Sequence, residues 1–515
     1  MAKRLGLREV PEFDSVRPAR TFFEPGPMLG SSGMGKRGQV TLTGKASRIV
    51  GCALVTVATA ALSATALARP PADHPGSTEP PPFVAVADPY PSTYKPIPSA
   101  PVVIVGATIL DGAGKRWDDA DILLASGKVQ AVGQRLPRPA GARVIDGHGK
   151  WITPGLIDVH THLGVYTLPQ TSLDAQTSDV TELRDPDAAD TWIEHAVRSV
   201  DPGFSHALAA GVTTLQILPG SSTLFGGRSV IVKPIAAPTI AAMKFPGARQ
   251  GLKMACGANP KQAFAGRGLL NSRQGEIATM REAFVEAEEW RQEHRGQDKS
   301  RHRGPPDDDL KEQTLALVLE GKMPVHIHCY RSDDMARMID LSHEFGFHIA
   351  AFHHAAEAYK IAPMLAASDI CVAGWPDWWG FKPEAEDSIR ENVAFVDAAG
   401  GCAMLHSDIP ILGEHLNLEA AKAAAAGRRA GLSLPPERVI RWVTANPAKA
   451  LALDDRIGQL SPGYNADVVL WSGDPFSVYS KPEKVFIDGA VAFDASLPRR
   501  PSDIELGRSI TSARP

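Results

Sequence analysis

The sequence predicts an α/β protein: a (β/α)8 TIM-type barrel with a small β-sandwich lobe built from both chain ends. Three observations support this fold class. Residues 155–450 alternate short apolar runs with helical patterns. Runs rich in β-formers and punctuated by glycine and aspartate lie on either side, at 101–154 and 451–497. The 515 residues also exceed the usual size of one hydrophobic core, so a large barrel with a smaller lobe is expected.

Residues 1–68 are predicted to be a leader and a secretory signal peptide. Within them, basic residues precede a run of small apolar residues that closes with an A-x-A cleavage pattern at Ala68. A membrane anchor is the alternative, but the run is rich in alanine and threonine and only weakly hydrophobic, which favours cleavage. Met34 is the expected start, because signal peptides rarely follow a long polar leader. We therefore expect a secreted or periplasmic protein.

Residues 69–100 are dense in proline and are predicted to be an extended linker. The short β-rich runs at 101–154 predict an antiparallel β-lobe, and the same pattern of β-rich runs with glycine and aspartate recurs at 451–497. One lobe assembled from both ends of the chain is therefore expected, followed by a tail at 498–515.

In the middle of the chain the predicted strands are GVTTLQIL, MPVHIHC, FHIAAFHH and CAMLHSD. The helices predicted between them are SHALAA, MREAFVEAEEWRQEH, DDDLKEQTLALVLEG and NLEAAKAAAAGRRAG. Repeated alternation of strand and helix predicts parallel strands joined by crossover helices, and a (β/α)8 barrel fits best. Residues 291–309 are too charged for a core and are predicted to form a solvated helix end and loop.

Composition excludes several classes of function. The net charge of −4 gives no reason to expect nucleic acid or an anionic membrane as a partner. The five cysteines contain no CxxC pair, and Cys52 lies in the predicted signal segment, so a disulfide scaffold is not expected.

Histidine and aspartate collect where the predicted strands end. In a barrel of this kind the active site forms at the carboxyl ends of the strands. A single histidine there could be a hydrogen-bonded core residue, but the set predicts a metal centre. Its members are His160, His162, His326, His328, His353, His354, His406 and Asp408.

The motifs ITPGLIDVHTHLG, KMACGANPK, VHIHCYRSDD, HSDIP and NPAKALALDDRIGQLSPGYNADVV resemble those of the amidohydrolase superfamily, and most of all its imidazolonepropionase-like branch. The resemblance covers residues 101–494. It implies that His160 and His162 are first-strand metal ligands, with His328 on the fifth strand and Asp408 on the eighth.

The resemblance also distinguishes the remaining histidines. His354 stands just before AAEAY, where the family ligand falls, and is chosen over its neighbour His353. His326 and His406 each lie two residues before a ligand on the same strand, so both are expected to lie behind the ligands.

Lys253 bears on the number of metal ions. Binuclear members of the superfamily bridge two metals with a carboxylated lysine or a glutamate, and Lys253 fits the lysine form. An ordinary surface or substrate-binding lysine is the alternative. The resemblance therefore implies a divalent metal, with Zn2+ expected, as one or two ions and with Lys253 carbamylated in the two-ion form. Relatives often read GENPK where this chain has GANPK, so the glutamate contact is absent at Ala258.

The ligands imply the chemistry. A divalent metal generates hydroxide at neutral pH and polarises a carbonyl, and Asp408 suits proton transfer to and from the reacting groups. His328 and His354 are expected to help to hold the carbonyl. Arg331 could clamp a substrate carboxylate, or it could form a salt bridge with Asp333 or its neighbour. Tyr359 is a weaker substrate-binding candidate.

The sequence therefore predicts a secreted metal-dependent hydrolase of C–N bonds in amides, dipeptides or cyclic amides. Its expected partner is a small-molecule substrate, with no nucleic acid, no stable membrane partner, and homo-oligomer formation left open. The second hypothesis is that the protein is an N-acyl deacetylase of the same superfamily. The third hypothesis is a catalytically inactive barrel that acts as a binding protein. Such proteins usually lose metal ligands, and here the candidate ligands are all present.

Overall fold

The computed structural model describes residues 88–166, 178–294, 309–378 and 380–498. The predicted leader and signal peptide at 1–68 lie outside these ranges, as do nearly all of the tail and most of the linker. Their boundaries stay predictions. No helix in the described ranges is both long enough and apolar enough to span a membrane.

The strands, in chain order, are β1 (Val102–Leu110), β2 (Arg116–Ala125), β3 (Lys128–Gly133), β4 (Arg143–Asp146), β5 (Trp151–Pro154), β6 (Leu156–Thr161), β7 (Val212–Ile217), β8 (Phe225–Arg228), β9 (Val230–Val232), β10 (Leu252–Ala255), β11 (Val325–Cys329), β12 (Ile349–His354), β13 (Cys371–Gly374), β14 (Cys402–Leu405), β15 (Val468–Trp471), β16 (Pro482–Ile487) and β17 (Ala490–Asp494).

The α-helices are α1 (Gly203–Ala209), α2 (Ala258–Phe264), α3 (Arg273–Glu293), α4 (Leu310–Leu319), α5 (Ser332–Phe345), α6 (Ala362–Ala367), α7 (Asn392–Ala398), α8 (Pro410–Gly413), α9 (Leu416–Arg429), α10 (Pro436–Val439) and α11 (Ala445–Ala450). Short 3-10 helices lie at Ile193–His195, Ile240–Ala242, Ala265–Arg267, Ala358–Ile361, Pro383–Ala385 and Ile440–Val443. Each strand and helix predicted for the middle of the chain coincides with one of these elements.

The two chain ends meet in one sheet, as predicted. Its strands run in the order β17-β16-β15-β5-β1-β2-β3, with β4 beside β1. β15 pairs antiparallel with β5, and the Trp471 indole donates a hydrogen bond to the Thr153 hydroxyl across this junction (2.9 Å). β1 is parallel to β4 and β5, so the sheet is mixed rather than purely antiparallel. The predicted sandwich layering of the lobe stays a prediction.

A parallel sheet forms the centre of the molecule. β10, β11, β12, β13 and β14 lie side by side in chain order, all parallel. Strands β10 to β13 are buried along their whole length, which is typical of a parallel sheet covered on both faces. β6 and β7 are parallel partners in a second sheet.

The two central sheets meet at the end of β14. The amide of Asp408 donates to the carbonyl of His160 (2.9 Å), and the amide of His162 donates to the carbonyl of Asp408 (3.1 Å). The described ladders nevertheless form two sheets, of six and three strands, rather than one continuous cylinder. The α/β core is thus observed, whereas a single closed eight-stranded barrel stays a prediction.

β8 and β9 are short strands that the sequence analysis did not predict. β8 pairs antiparallel with β10, and β9 pairs antiparallel with β7. The strands predicted for the middle of the chain each have a parallel partner. The chain therefore reverses its direction between β7 and β9, which are neighbours in one sheet. Gly227 assists this reversal because its φ is +100° and a Cβ there would meet the Thr191 carbonyl oxygen at 2.3 Å.

Four cysteines of the described residues form two disulfide bonds, which the sequence analysis did not predict. Cys256 pairs with Cys329 and Cys371 pairs with Cys402, with Cα–Cα distances of 5.3 and 4.4 Å. The first bond joins the ends of β10 and β11, and the second joins the starts of β13 and β14. Sequence spacing could not reveal this pairing, because it depends on which strands become neighbours. Cys52 lies outside the described residues.

Candidate metal centre

β6 brings His160 into the centre of the fold, and His162 directly follows its last residue, Thr161. Alternation along the strand puts both rings on one face, with centroids 5.0 Å apart, and both residues are buried. The carbonyl of Leu218 lies 2.8 Å from His162 Nδ1 and can only accept, so Nδ1 donates. The other ring nitrogen, Nε2, faces Asp408 and is the one that a metal ion could bind in place of that contact.

Asp408 completes a first group of possible ligands. Its Oδ1 lies 3.3 Å from His160 Nε2 and 3.3 Å from His162 Nε2. Burial opposes its ionisation, but the hydrogen bond and charge of His162 outweigh burial and lower the pKa of the carboxyl. One ligand atom from each of these three residues lies within 4.8 Å of the others. That spacing suits a shared divalent cation.

His354 and His406 form a second group of possible ligands with His160. One ligand atom from each of these residues lies within 4.8 Å of the others. The φ of His354 is +65°, which breaks the alternation of β12 at its last residue. His354 Nδ1 has no hydrogen-bond partner among the described residues. The adjacent His353 instead approaches His160 Nδ1 (3.1 Å) and His326 Nδ1 (3.0 Å) with its two nitrogens. The structure thus groups His354, not His353, with the candidate ligands.

His406 lies in the centre rather than behind it, where the sequence analysis placed it. Its ring stacks on that of His160 at 4.9 Å and 14°, and neither of its nitrogens has a partner in the described ranges. The usable signal was its spacing of two residues from Asp408, the same spacing as in the HxH pair of β6. His326 does lie behind, bonded to His353.

His328 lies on β11 beside His354, with ring centroids 4.5 Å apart, but outside both groups of three. It is 1% exposed, and burial lowers its pKa, which keeps the imidazole neutral. Both of its nitrogens lack partners among the described residues. Its predicted role as a ligand stays a prediction.

Lys253 is fully buried beside the histidines, so the surface-lysine alternative is wrong. Its Nζ donates to the carbonyl of Pro219 (3.1 Å) and lies 3.5 Å from His160 Nε2. Burial lowers the pKa of Lys253 to about 7. Its predicted bridging role stays a prediction.

These residues fit a divalent cation. Buried polar atoms without partners are costly, and five such nitrogens belong to His328, His354 and His406. The rings of His354 and His406 lie 5.1 and 4.9 Å from that of His160, and His328 lies beside His354. Imidazole and carboxylate are donors that zinc and several other divalent metals accept. A bound cation would satisfy these atoms.

The two predicted substrate-binding residues have other partners. Arg331 binds Asp333 through Nε (2.8 Å) and Nη2 (3.0 Å), which is the salt bridge left open by the sequence. The Tyr359 hydroxyl donates to the carbonyl of Asp387 (3.0 Å). No contact between either side chain and the histidines is found in the described part of the chain, and their substrate-binding roles stay predictions.

Aromatic residues that sequence reasoning missed cover the histidines. The Trp375 ring lies 4.3 Å from that of His354 and 4.9 Å from that of His406. Tyr330 stacks on His354 at 5.5 Å and meets His328 edge-on at 4.7 Å. Both residues follow a strand end, of β13 and β11, so the rule that identified the histidines could have identified them.

Comparison with known proteins places these residues in a family. The model for the amidohydrolase family matches residues 151–492. The chain is 30% identical over 420 residues to amidohydrolase tasK of Hapsidospora irregularis, covering 74% of this chain and 41% of that protein. Over 60 residues it is 40% identical to a dihydroorotase of Anaeromyxobacter dehalogenans (strain 2CP-C), covering 12% and 14%. The chain thus spans less than half the length of these curated relatives.

Among solved structures, the chain resembles an amidohydrolase from Thermotoga maritima MSB8. The TM-score is 0.69 at 31% identity, and the match covers 76% of this chain and all of that one. The likeness implies a TIM-type barrel.

Proposed function

This chain belongs to the amidohydrolase family, and we propose that it is a metal-dependent hydrolase of carbon–nitrogen bonds in amides, dipeptides or cyclic amides. Its proposed partner is a small-molecule substrate. The support is the pair of overlapping ligand groups that share His160, because nitrogens of His354 and His406 lack partners among the described residues and an ionised carboxylate, Asp408, stands in the other group. We assign the metal as zinc, whose preferred donors are of these types.

His160, His162 and Asp408 would hold one ion, and His354 and His406 would offer nitrogens to a second. His160 Nδ1 contacts His353, so His160 has one nitrogen to offer and would belong to only one of the two sites. When bound, a divalent cation makes water nucleophilic at neutral pH and polarises a carbonyl oxygen. Asp408 is the proton acceptor in this proposal, because it is ionised and 21% of its side chain remains exposed. It then returns that proton to the departing nitrogen.

The buried neutral imidazole of His328 can orient the substrate. It donates from one ring nitrogen and accepts at the other, and both are unoccupied in the described structure. Trp375 and Tyr330 enclose the same space and exclude water from it, which strengthens each polar contact made there.

We also propose that the protein works outside the cytoplasm. The two cross-strand disulfides support this, because such bonds persist in oxidising compartments and are rare in the cytosol. The predicted signal peptide points the same way.

Metal analysis and a substrate panel test the enzymatic proposal. In His160→Ala and His162→Ala the bound metal and the rate on every hydrolysed amide should both fall at least tenfold, because each loses a nitrogen donor. The exposed His343→Ala is the matched control and should keep both. If His160→Ala/His162→Ala retained wild-type metal content and rate, the proposed centre would be wrong.

A further inference from the structure

A half-buried lysine lies next to the candidate metal centre, and no carboxylate of the described residues forms an ion pair with it. Lys382 precedes the short helix Pro383–Ala385, in the segment that follows β13. Its Nζ lies 4.0 Å from the centroid of the Tyr330 ring, whose other neighbours are His328 and His354. One aromatic ring therefore separates the ammonium group from the metal-binding histidines.

The charge of Lys382 is only partly satisfied. Its Nζ donates one hydrogen bond, to Asn259 Oδ1 (2.7 Å), and no ion pair joins it to a carboxylate among the described residues. An ammonium group has three donors, so two remain. Half-buried cations normally acquire an anionic partner, since burial without one is costly.

The nearby carboxylate is already engaged. Glu384 accepts the backbone N–H of Ala258 at both oxygens (3.0 Å each) and binds Arg273. It thereby brings a carboxylate to the amide of Ala258, where the chain has no acidic side chain. Glu384 is therefore held by Ala258 and Arg273, and it forms no ion pair with Lys382.

Asn259 fixes the position of Lys382. The amide nitrogen of Asn259 donates to the Ser221 hydroxyl (3.1 Å) while its oxygen accepts from Lys382. Ser221 follows β7, close to Pro219, whose carbonyl binds Lys253. Lys382 is thus held by hydrogen bonds through Asn259 to Ser221, close in the chain to the carbonyl that binds Lys253.

We propose that Lys382 binds a carboxylate of the substrate, so that the preferred substrates are amides with a free carboxylate, such as dipeptides and N-acyl amino acids. The inference rests on the proposed hydrolase function. A carboxylate is favoured over a phosphate because one cation with two free donors matches a single negative charge.

The pH dependence follows from the same contact. Burial lowers the pKa of Lys382 to about 8. The charged form that binds a carboxylate is therefore present below about pH 8 and is lost above it. KM for acidic substrates should rise as the pH increases through that value, whereas KM for their carboxamides should not.

Paired substrates test the proposal. N-acyl amino acids and dipeptides are compared with the same molecules carrying a terminal carboxamide. We expect Lys382→Met to lose about tenfold to a hundredfold more kcat/KM on the acids than on the carboxamides, mostly through KM. Lys382→Arg should recover part of that loss. Lys422→Met, on α9, removes contacts to Asp377 and Glu419 and is the control, which should change both substrate types equally.

A binding measurement separates this proposal from the enzymatic one. N-acetylglycine should bind metal-stripped wild-type protein more tightly than N-acetylglycinamide in calorimetry, and Lys382→Met should abolish the difference. Equal binding, together with equal hydrolysis of acids and carboxamides, overturns the role of Lys382 and leaves the hydrolase intact. Failure of the loaded wild type to cleave any amide overturns the hydrolase, whereas the calorimetry still reports on Lys382.

Discussion

Two buried lysines in this molecule illustrate how environment determines chemistry at the scale of a single residue. Lys233 Nζ lies 3.2 Å from Asp467 and 3.0 Å from Asp488, so its charge is balanced by carboxylates. Lys253 is equally buried, but among the described residues its Nζ has only a carbonyl and an imidazole within hydrogen-bond distance. A buried charge without such balance is unstable, which favours a chemically modified Lys253 beside metal ions.

Lys253 therefore provides a test of the two-ion form. Two cations that share neutral histidines and one aspartate need another anion, which a carbamate on Lys253 would supply. In that form wild type holds close to two ions per chain and Lys253→Ala close to one, and bicarbonate should reactivate metal-stripped wild type. Elemental analysis measures the ratio, with the exposed Lys449→Ala as the control. Equal metal content in wild type and Lys253→Ala would rule out the bridge.

At the scale of elements, the disulfides act on neighbouring parallel strands. The bond between Cys256 and Cys329 clamps β10 to β11, the strands of Lys253 and His328. The bond between Cys371 and Cys402 clamps β13 to β14, and Asp408 follows the latter. Both cross-links close loops of tens of residues, and such links stabilise a fold chiefly by limiting the unfolded chain.

Removing the disulfide bond between Cys371 and Cys402 should lower the free energy of unfolding measurably. We expect Cys371→Ala/Cys402→Ala to lower the free energy of unfolding by about 3–4 kcal/mol, measured by urea denaturation without reductant. The control compares the two proteins after full reduction, where the difference should largely disappear. Thiol titration of the denatured mature wild type should find less than one free thiol, and four would show that the bonds do not form.

At the scale of the whole molecule, the proposed export would bring the cysteines into an oxidising compartment. If the signal is cut after Ala68, the mature chain begins at Arg69 and folds where its cysteines can oxidise. Amino-terminal sequencing after fractionation measures this. Ala68→Arg should block the cut because small residues are required there, whereas Ala72→Arg, beyond the cut, should not. An intact wild-type chain found in the cytosol would contradict export.

Much of this architecture could be predicted because its signals are local. The apolar run ending in His160 and His162 predicts a strand with both rings on one face, and the structure has that strand as β6. β8 and β9 were harder because their direction depends on how the chain returns after β7, not on their own composition. His406 was misplaced for a similar reason: its position on the strand was clear, but the partners of its nitrogens were not.

By itself the sequence determined the alternation of strands and helices, the sheet shared by both chain ends, and the gathering of histidines with Asp408 at strand ends. These follow from periodicity and from the common edge at which parallel strands end. Only the tertiary structure decided that His406 lies among the candidate ligands, that four cysteines pair, and that Lys382 lies near the histidines with no carboxylate partner among the described residues. The physical reason is that hydrogen bonds, disulfides and charge pairs depend on distances of a few ångströms between residues far apart in the chain.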